Sequence, residues 1–400
     1  MNDHQKRIMS ARTNSWLVAA ALIALIVGAI LSHTIEPGVR VGKIMLTTNT
    51  PAVRIFPATP GPHPKVVLAH GAGGSKEMLF RFGEAFAAAG FDCYSVDQAG
   101  HGESPQPFSV TNLRTKFPEL ERALGGVDVF IGHSMGGGAG AWSVREFGFR
   151  PKLFIGMGAT ANLGKGGPPL VLLFSRFDEF RPLIGTWLSA QTDAQVVFSP
   201  WCEHITEAYD SVLVNAGVKA ACIAFGKTVP PAPTAWRWRL LGLLLGITGA
   251  LGLMYFLPEL HPSLARIRRV IVPGVLLLAL ILTLRPWLGV GPQLRRIPVQ
   301  LVVMGIIWLG LAGIGRLRLP KWSLPVLTGI LAVVFLAVGW TSGHFLLVLF
   351  CAILAISSLL LLPGLAVSRI AASGGSRRDG DIAMAIFAGY CIGQFIPLWY

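Results

Sequence analysis

Charged residues are scarce in this chain of 400, at 14% against 52% hydrophobic residues. A soluble protein of that length carries about a quarter charged residues, so an ordinary soluble domain is excluded for at least part of the chain. Acidic residues are the scarcer sign, 20 against 34 basic, leaving a net charge of +14. That excess does not point to nucleic acid. Residues 36–235 hold 17 lysines and arginines against 16 acidic residues and are nearly neutral. The surplus lies beside apolar runs elsewhere, where membrane-flanking charge belongs. Cysteine is scarce too: the five present have no metal-ligand spacing, so neither a metal nor another cofactor is expected. Cys93, Cys202 and Cys222 read as free small hydrophobes. A Cys202–Cys222 pair is the alternative in an oxidising compartment. No charged residue sits in the middle of a long apolar run, which argues against a transporter or a proton relay.

The apolar runs themselves are long. Trp16–Leu31 follows Lys6, Arg7 and Arg12 and lacks a small-residue cleavage site, so it reads as an uncleaved signal anchor. Leu240–Leu257, Val270–Leu288, Val299–Ile314, Leu324–Trp340, Phe345–Val367 and Ile382–Leu398 follow. Each approaches the ~20 apolar residues of a membrane span. With the N-terminus in the cytoplasm, the loops carrying Arg266, Arg268, Arg269, Arg316, Arg318, Lys321, Arg369, Arg377 and Arg378 are also inside. Basic loops favour that side. The expected organisation is a cytoplasmic N-terminus and anchor over residues 1–35, a polar domain over 36–227, a proline-rich linker over 228–239, and an all-α transmembrane bundle over 240–400. The polar domain then lies on the non-cytoplasmic side, periplasmic in a bacterium.

Between residues 42 and 226, short β-branched runs alternate with helical patterns. Strands are expected at Lys43–Thr47, Ala52–Phe56, Lys65–His70, Phe91–Val96, Val127–Gly132, Lys152–Met157, Leu170–Phe174 and Ala194–Phe198. Helices are expected near Glu77–Ala89, Thr111–Ala123, Met135–Phe147, Phe180–Ala190 and Ile205–Ala221. This alternation indicates an α/β fold, a mostly parallel sheet with helices on both faces. Ligands of such sheets bind beyond the carboxyl ends of the strands.

The motifs fall there. Gly132-His133-Ser134-Met135-Gly136 sits between a strand and a helix, the setting of a nucleophile elbow with Ser134 at its apex. A serine nucleophile needs a base. His63, His70, His101 and His133 are poorly placed; His204 follows the last strand and is the expected base. The acid should follow the strand before it, where Asp178 stands, with Glu179 as runner-up. The oxyanion requires fixed N–H donors. Met135 N–H supplies one, and Ala72 N–H, in His70-Gly-Ala-Gly-Gly-Ser75, is the candidate for the second.

His70-Gly71-Ala72-Gly73, Asp97-Gln-Ala-Gly-His-Gly-Glu-Ser104 and Gly132-His-Ser-Met-Gly-Gly137 together resemble the α/β-hydrolase superfamily. Within it, they are similar to the serine aminopeptidase/monoacylglycerol lipase-like branch. The resemblance covers about half of the chain. It implies cleavage of an ester, thioester or amide through an acyl-enzyme, and a structural role for the Asp97–Ser104 turn. One departure stands out. Relatives in that branch carry a helical cap where this chain has only Gly158–Pro169, too short to form one, so little or no cap is expected.

The sequence thus predicts a membrane-anchored serine hydrolase, carboxylesterase- or lipase-like. Its catalytic residues are Ser134, Asp178 and His204, with the Ala72 and Met135 amides as oxyanion donors. The expected partners are a small-molecule or lipid acyl substrate and membrane lipids. Two other readings remain: an acyltransferase to a lipid or glycan, and a transport or scaffold protein whose hydrolase domain is inactive.

Overall fold

In the computed structural model, the structure describes residues 3–159, 161–178 and 194–260, with a few positions between 326 and 337. Glu179, the expected helix Phe180–Ala190 and the expected spans beyond Leu257 lie outside the described residues, isolated helical positions near Ile330 apart.

Eight strands form one sheet: β1 (Val39–Thr47), β2 (Thr50–Pro57), β3 (Lys65–Ala69), β4 (Asp92–Val96), β5 (Val129–His133), β6 (Leu153–Met157), β7 (Leu170–Ser175) and β8 (Gln195–Ser199). The spatial order is β1-β2-β4-β3-β5-β6-β7-β8. β2 is antiparallel to both of its neighbours, and the other pairings are parallel. The central strands are buried along their whole length, as a sheet covered on both faces requires.

Six helices are described: α1 (Asp3–Leu31), α2 (Phe80–Ala88), α3 (Val110–Leu124), α4 (Met135–Glu146), α5 (Ser211–Ala224) and α6 (Ala235–Leu260). α2 and α5 cover one face of the sheet. Phe82, Phe86, Leu213 and Val218 pack there on Val66, Leu68, Ile131 and Leu173. α3 and α4 cover the other, where Leu113, Phe117 and Val144 meet Val67, Phe130 and Phe154. Phe130 lies at the centre of that layer, its ring centroid 4.8 Å from both Phe117 and Phe154. Burying each such ring contributes roughly 1.5–3 kcal/mol.

The register aligns the carboxyl ends of the strands. His133 pairs with Met157, Met157 with Leu173, and Ser175 with Ser199. The segments after β3, β5, β7 and β8 therefore leave the same edge of the sheet. The β6–β7 connection, residues 158–169, contains no helix among the described residues.

Two expected elements differ in detail. The helix expected over Ile205–Ala221 is divided at Asp210. A 3-10 turn, Thr206–Tyr209, comes first, and Asp210 then caps α5 by accepting from Val212 N and Leu213 N. The linker expected over 228–239 ends early. Only 228–234 is irregular, because the Glu36 carboxylate accepts from Thr234 N and Ala235 N and starts α6 there.

α1 and α6 run antiparallel in close contact. A Cβ on Gly28 would lie 2.7 Å from Gly242 O, and one on Gly249 would lie 2.5 Å from Ala21 O and Leu25 N. Trp16, Ile23, Ile30 and Leu244 on this pair are exposed. Among the described residues, no helix is long and apolar enough to cross a membrane.

Candidate active site

β5 ends at His133, and α4 begins at Met135. Ser134 makes the turn between them with φ 50° and ψ −118°, the one non-glycine residue at positive φ among the described residues. Such a conformation costs about 1–3 kcal/mol and persists only where its surroundings fix it. They do so here. Ser134 N donates to Met157 O at 2.8 Å, and Gly138 N donates to Ser134 O at 3.0 Å. The glycines let the turn close. A Cβ on Gly136 would lie 2.5 Å from Ala69 O, and one on Gly132 would lie 2.6 Å from Gly137 N.

Ser134, His204 and Asp178 are brought together in contact sequence. The Ser134 hydroxyl donates to His204 Nε2 at 2.9 Å, and His204 Nδ1–H donates to Asp178 Oδ2 at 3.0 Å. The carboxylate accepts at Nδ1, so the proton sits there and Nε2 is left as the acceptor. Asp178 and His204 are buried, whereas Ser134 is half-buried. The geometry permits a hydroxyl to give its proton to an imidazole whose resulting charge faces a carboxylate.

The loop after β3 lies against the elbow. A Cβ on Gly71 would sit 3.2 Å from Ser134 Cβ. Ala72 is exposed in the tight turn closed by Gly74 N to Gly71 O, 3.1 Å. Met135, the first residue of α4, carries one of the amides that a helix start leaves without an internal acceptor. The loop is held from behind. Lys76, fully buried, donates from its backbone N to Asp97 Oδ1 at 2.7 Å and from Nζ to Asp97 Oδ2 at 2.8 Å. Asp97 also accepts from Glu103 N at 2.8 Å. The Asp97–Ser104 turn thus braces the loop rather than reaching Ser134.

The other histidines have fixed local duties. His70 donates from Nδ1 to Gly71 O at 2.7 Å and accepts from Gln98 N at 3.2 Å. His101 donates to Ala99 O at 2.9 Å. His133 donates from Nε2 to His204 O at 2.9 Å. Burial, and then the neighbouring His204, lower the His133 pKa to about 3.

One residue of this centre escaped the sequence reading. Glu207, on the 3-10 turn after His204, is fully buried behind the imidazole. Its Oε1 accepts from Ser175 N at 2.7 Å, and its Oε2 lies 4.0 Å from His204 Nδ1 and 3.7 Å from His133 Nε2. The only available signal was its spacing, three residues after the base on a helical turn, which puts both on one face. His133, His204 and Glu207 form a buried group with the donor types of a metal site. The imidazole nitrogens facing Glu207 are already engaged, His204 Nδ1 by Asp178 and His133 Nε2 by a carbonyl, so the group fits a hydrogen-bonded centre better than a metal. Cys93, Cys202 and Cys222 are free and buried, with no disulfide among the described residues.

Residues 66–311 match the sequence profile of the alpha/beta hydrolase family. No curated protein matches the chain. Among solved structures, the chain is similar to a protein described as a predicted CIB-like hydrolase from Thermoplasma acidophilum, at 15% identity and a TM-score of 0.41. That match covers 46% of this chain and 98% of the other. It is similar to a carboxylesterase of the thaumarchaeon Nitrososphaera gargenis at 11% identity and a TM-score of 0.39, covering 46% and 99%. It is also similar to an esterase of Mycobacterium tuberculosis at 13% identity and a TM-score of 0.38, covering 52% and 98%.

Proposed function

Because the chain belongs to the alpha/beta hydrolase family, we propose that it is a membrane-anchored serine hydrolase that cleaves a carboxylic ester, or a thioester or amide, through an acyl-enzyme. The observation that carries this reading is the continuous hydrogen-bond sequence from Ser134 through His204 to Asp178. We assign the serine aminopeptidase/monoacylglycerol lipase-like branch on the motifs at His70–Gly73, Asp97–Ser104 and Gly132–Gly137.

In the proposed reaction, Ser134 Oγ forms a bond to the acyl carbon as its proton passes to His204 Nε2. The carbonyl π electrons move to oxygen, and the Ala72 and Met135 amides hold that oxyanion. The intermediate collapses, the bond to the leaving group breaks, and the leaving group takes the proton from His204. Water then adds to the acyl-enzyme, giving a proton to the same nitrogen. The acid departs, and Ser134 recovers its proton. Asp178 keeps Nδ1 protonated and faces the imidazolium throughout. Loss of one oxyanion donor lowers such rates by about 10²–10³.

The membrane part of the proposal rests on three features. The sequence carries apolar runs flanked by basic loops. α1 and α6 meet through glycines, the packing that lets helices associate in lipid. They run antiparallel, which places the start and the end of the hydrolase domain side by side. The hydrolase domain between them is proposed to lie on the non-cytoplasmic side, with a small-molecule or lipid acyl group as substrate.

The test is fluorophosphonate labelling of the full chain in membranes. Wild type labels, and Ser134→Ala does not. Undiminished labelling of that variant sinks the assignment of the nucleophile.

A further inference from the structure

Glu207 is a carboxyl group that the proposed reaction does not use, placed where a second negative charge would be felt. It is fully buried. Its Oε1 accepts from Ser175 N at 2.7 Å, three residues before Asp178. Its own turn follows His204, so this one side chain ties the segment carrying the acid to the segment carrying the base. Its Oε2 lies 4.0 Å from His204 Nδ1 and has no hydrogen-bond partner among the described residues. Gly158 makes the space. At φ 53°, it accepts a conformation that L side chains avoid, and a Cβ there would run into Glu207 Oε2 and lie 2.8 Å from His204 Nδ1.

We propose that Glu207 is a positioning residue for the Ser134–His204–Asp178 centre: its buried carboxyl locks the acid-bearing and base-bearing loops in register behind the imidazole. The inference rests on the catalytic reading of those three residues. The titratable groups facing Glu207 are His133 at the end of β5, Asp178 after β7, and His204 and Cys202 after β8. Burial is the main reason the Glu207 carboxyl titrates well above the usual range. His204 works against that, and Asp178 adds to it.

The register is what the chemistry needs. A displacement of about 1 Å in a reacting group can cost about 10²-fold in rate. Asp178 and His204 both stand on irregular segments, and sheet hydrogen bonds end at Ser175 and Ser199. Past them, Arg176 N donates to Ser199 O at 2.8 Å and Phe177 N to Cys202 O at 3.4 Å, and the Glu207–Ser175 bond adds a buried side-chain link between the same two segments.

The experiment uses the full chain in detergent with p-nitrophenyl butyrate as probe, and measures kcat, KM and the pH profile of kcat/KM. Glu207→Leu, which removes the acceptor for Ser175 N, is expected to lower kcat by about 100-fold with KM changed by less than about threefold. Glu207→Gln keeps the shape and the acceptor. It is expected to restore kcat to within about tenfold of wild type, with the acid limb of kcat/KM unmoved. A Gln variant whose acid limb drops by about a unit or more identifies Glu207 as an anion beside His204 and overturns the proposal. Wild-type kcat in Glu207→Leu overturns it as well. If the Leu variant does not fold, Glu207→Asp, one methylene too short for Ser175, replaces it with the same expected loss. Ser134→Ala separates the two levels. Turnover that persists in that variant removes the catalytic reading and this inference with it. An inactive Ser134→Ala beside a fully active Glu207→Leu removes this inference alone.

Discussion

His133 Nε2–H donates to the carbonyl oxygen of His204 at 2.9 Å, tying the residue before the elbow serine to the backbone of the imidazole facing it. The elbow and the base segment come from strands with β6 and β7 between them. This bond crosses that gap at the backbone, while the Ser134–His204 bond crosses it at the side chain.

The burial of His133 makes the protein sensitive to acid, while its bond to His204 O works the other way. His133 is buried and neutral, and its pKa is lowered to about 3 from an ordinary 6.5. The sign follows from proton binding. Below pH 6.5 the unfolded chain takes up a proton that the folded chain refuses, so stability present above 6.5 is lost as pH falls towards 3. One proton over that window corresponds to roughly 5 kcal/mol. His133→Gln is expected to be less stable than wild type at neutral pH, with a flatter loss on acidification. Melting temperatures measured between pH 4 and 8 check this, and parallel curves for the two proteins would refute it.

Gly136 predicts a steric failure at the elbow. A Cβ there would lie 2.5 Å from Ala69 O and 2.6 Å from His70 O, both backbone atoms that cannot swing aside. α4 would have to move away from β3, carrying the Met135 amide with it. Gly136→Ala is expected to cost about 1–3 kcal/mol and to slow fluorophosphonate labelling by at least about tenfold. Gly42→Ala is the control, since nothing lies within 4 Å of its added methyl. Equal labelling rates in the two variants would contradict the packing argument.

The sequence carried much of this architecture, for identifiable reasons. Runs such as Val66-Val67-Leu68 and Val129-Phe130-Ile131 are buried strands with turn residues on both sides, so periodicity and punctuation agree. The elbow was legible because Gly132, Ser134 and Gly136 are each required by local geometry. Glu207 was not, because its importance comes from long-range burial: it meets Ser175 across 32 positions of sequence and Gly158 across 49. The start of α2 was misplaced at Glu77 rather than Phe80 for a related reason. Lys76 N is drawn away by Asp97, and Ser75 Oγ donates to Glu77 at 2.7 Å, so the first turn forms later. The start of α5 moved to Ser211 because the Asp210 carboxylate is a better cap than anything upstream.

The junction of α6 with the hydrolase domain supports a final prediction. Arg239 is buried and donates to both carboxylate oxygens of Glu84 on α2, at 2.8 and 2.6 Å, and to Thr34 O at 2.8 Å. Glu84 also accepts from Glu36 N at 2.9 Å. The pair thus joins α6, the segment after α1, and the catalytic domain. A buried ion pair adds little beyond what desolvation removes, but breaking it strands a charge. Arg239→Met is therefore expected to cost about 3–5 kcal/mol, whereas Arg239→Met with Glu84→Gln recovers a large part of that loss. Thermal unfolding of the full chain in detergent measures the coupling between the two sites. If the double variant is no more stable than Arg239→Met alone, the stranded carboxylate is not the source of the cost, and the junction is held by packing instead.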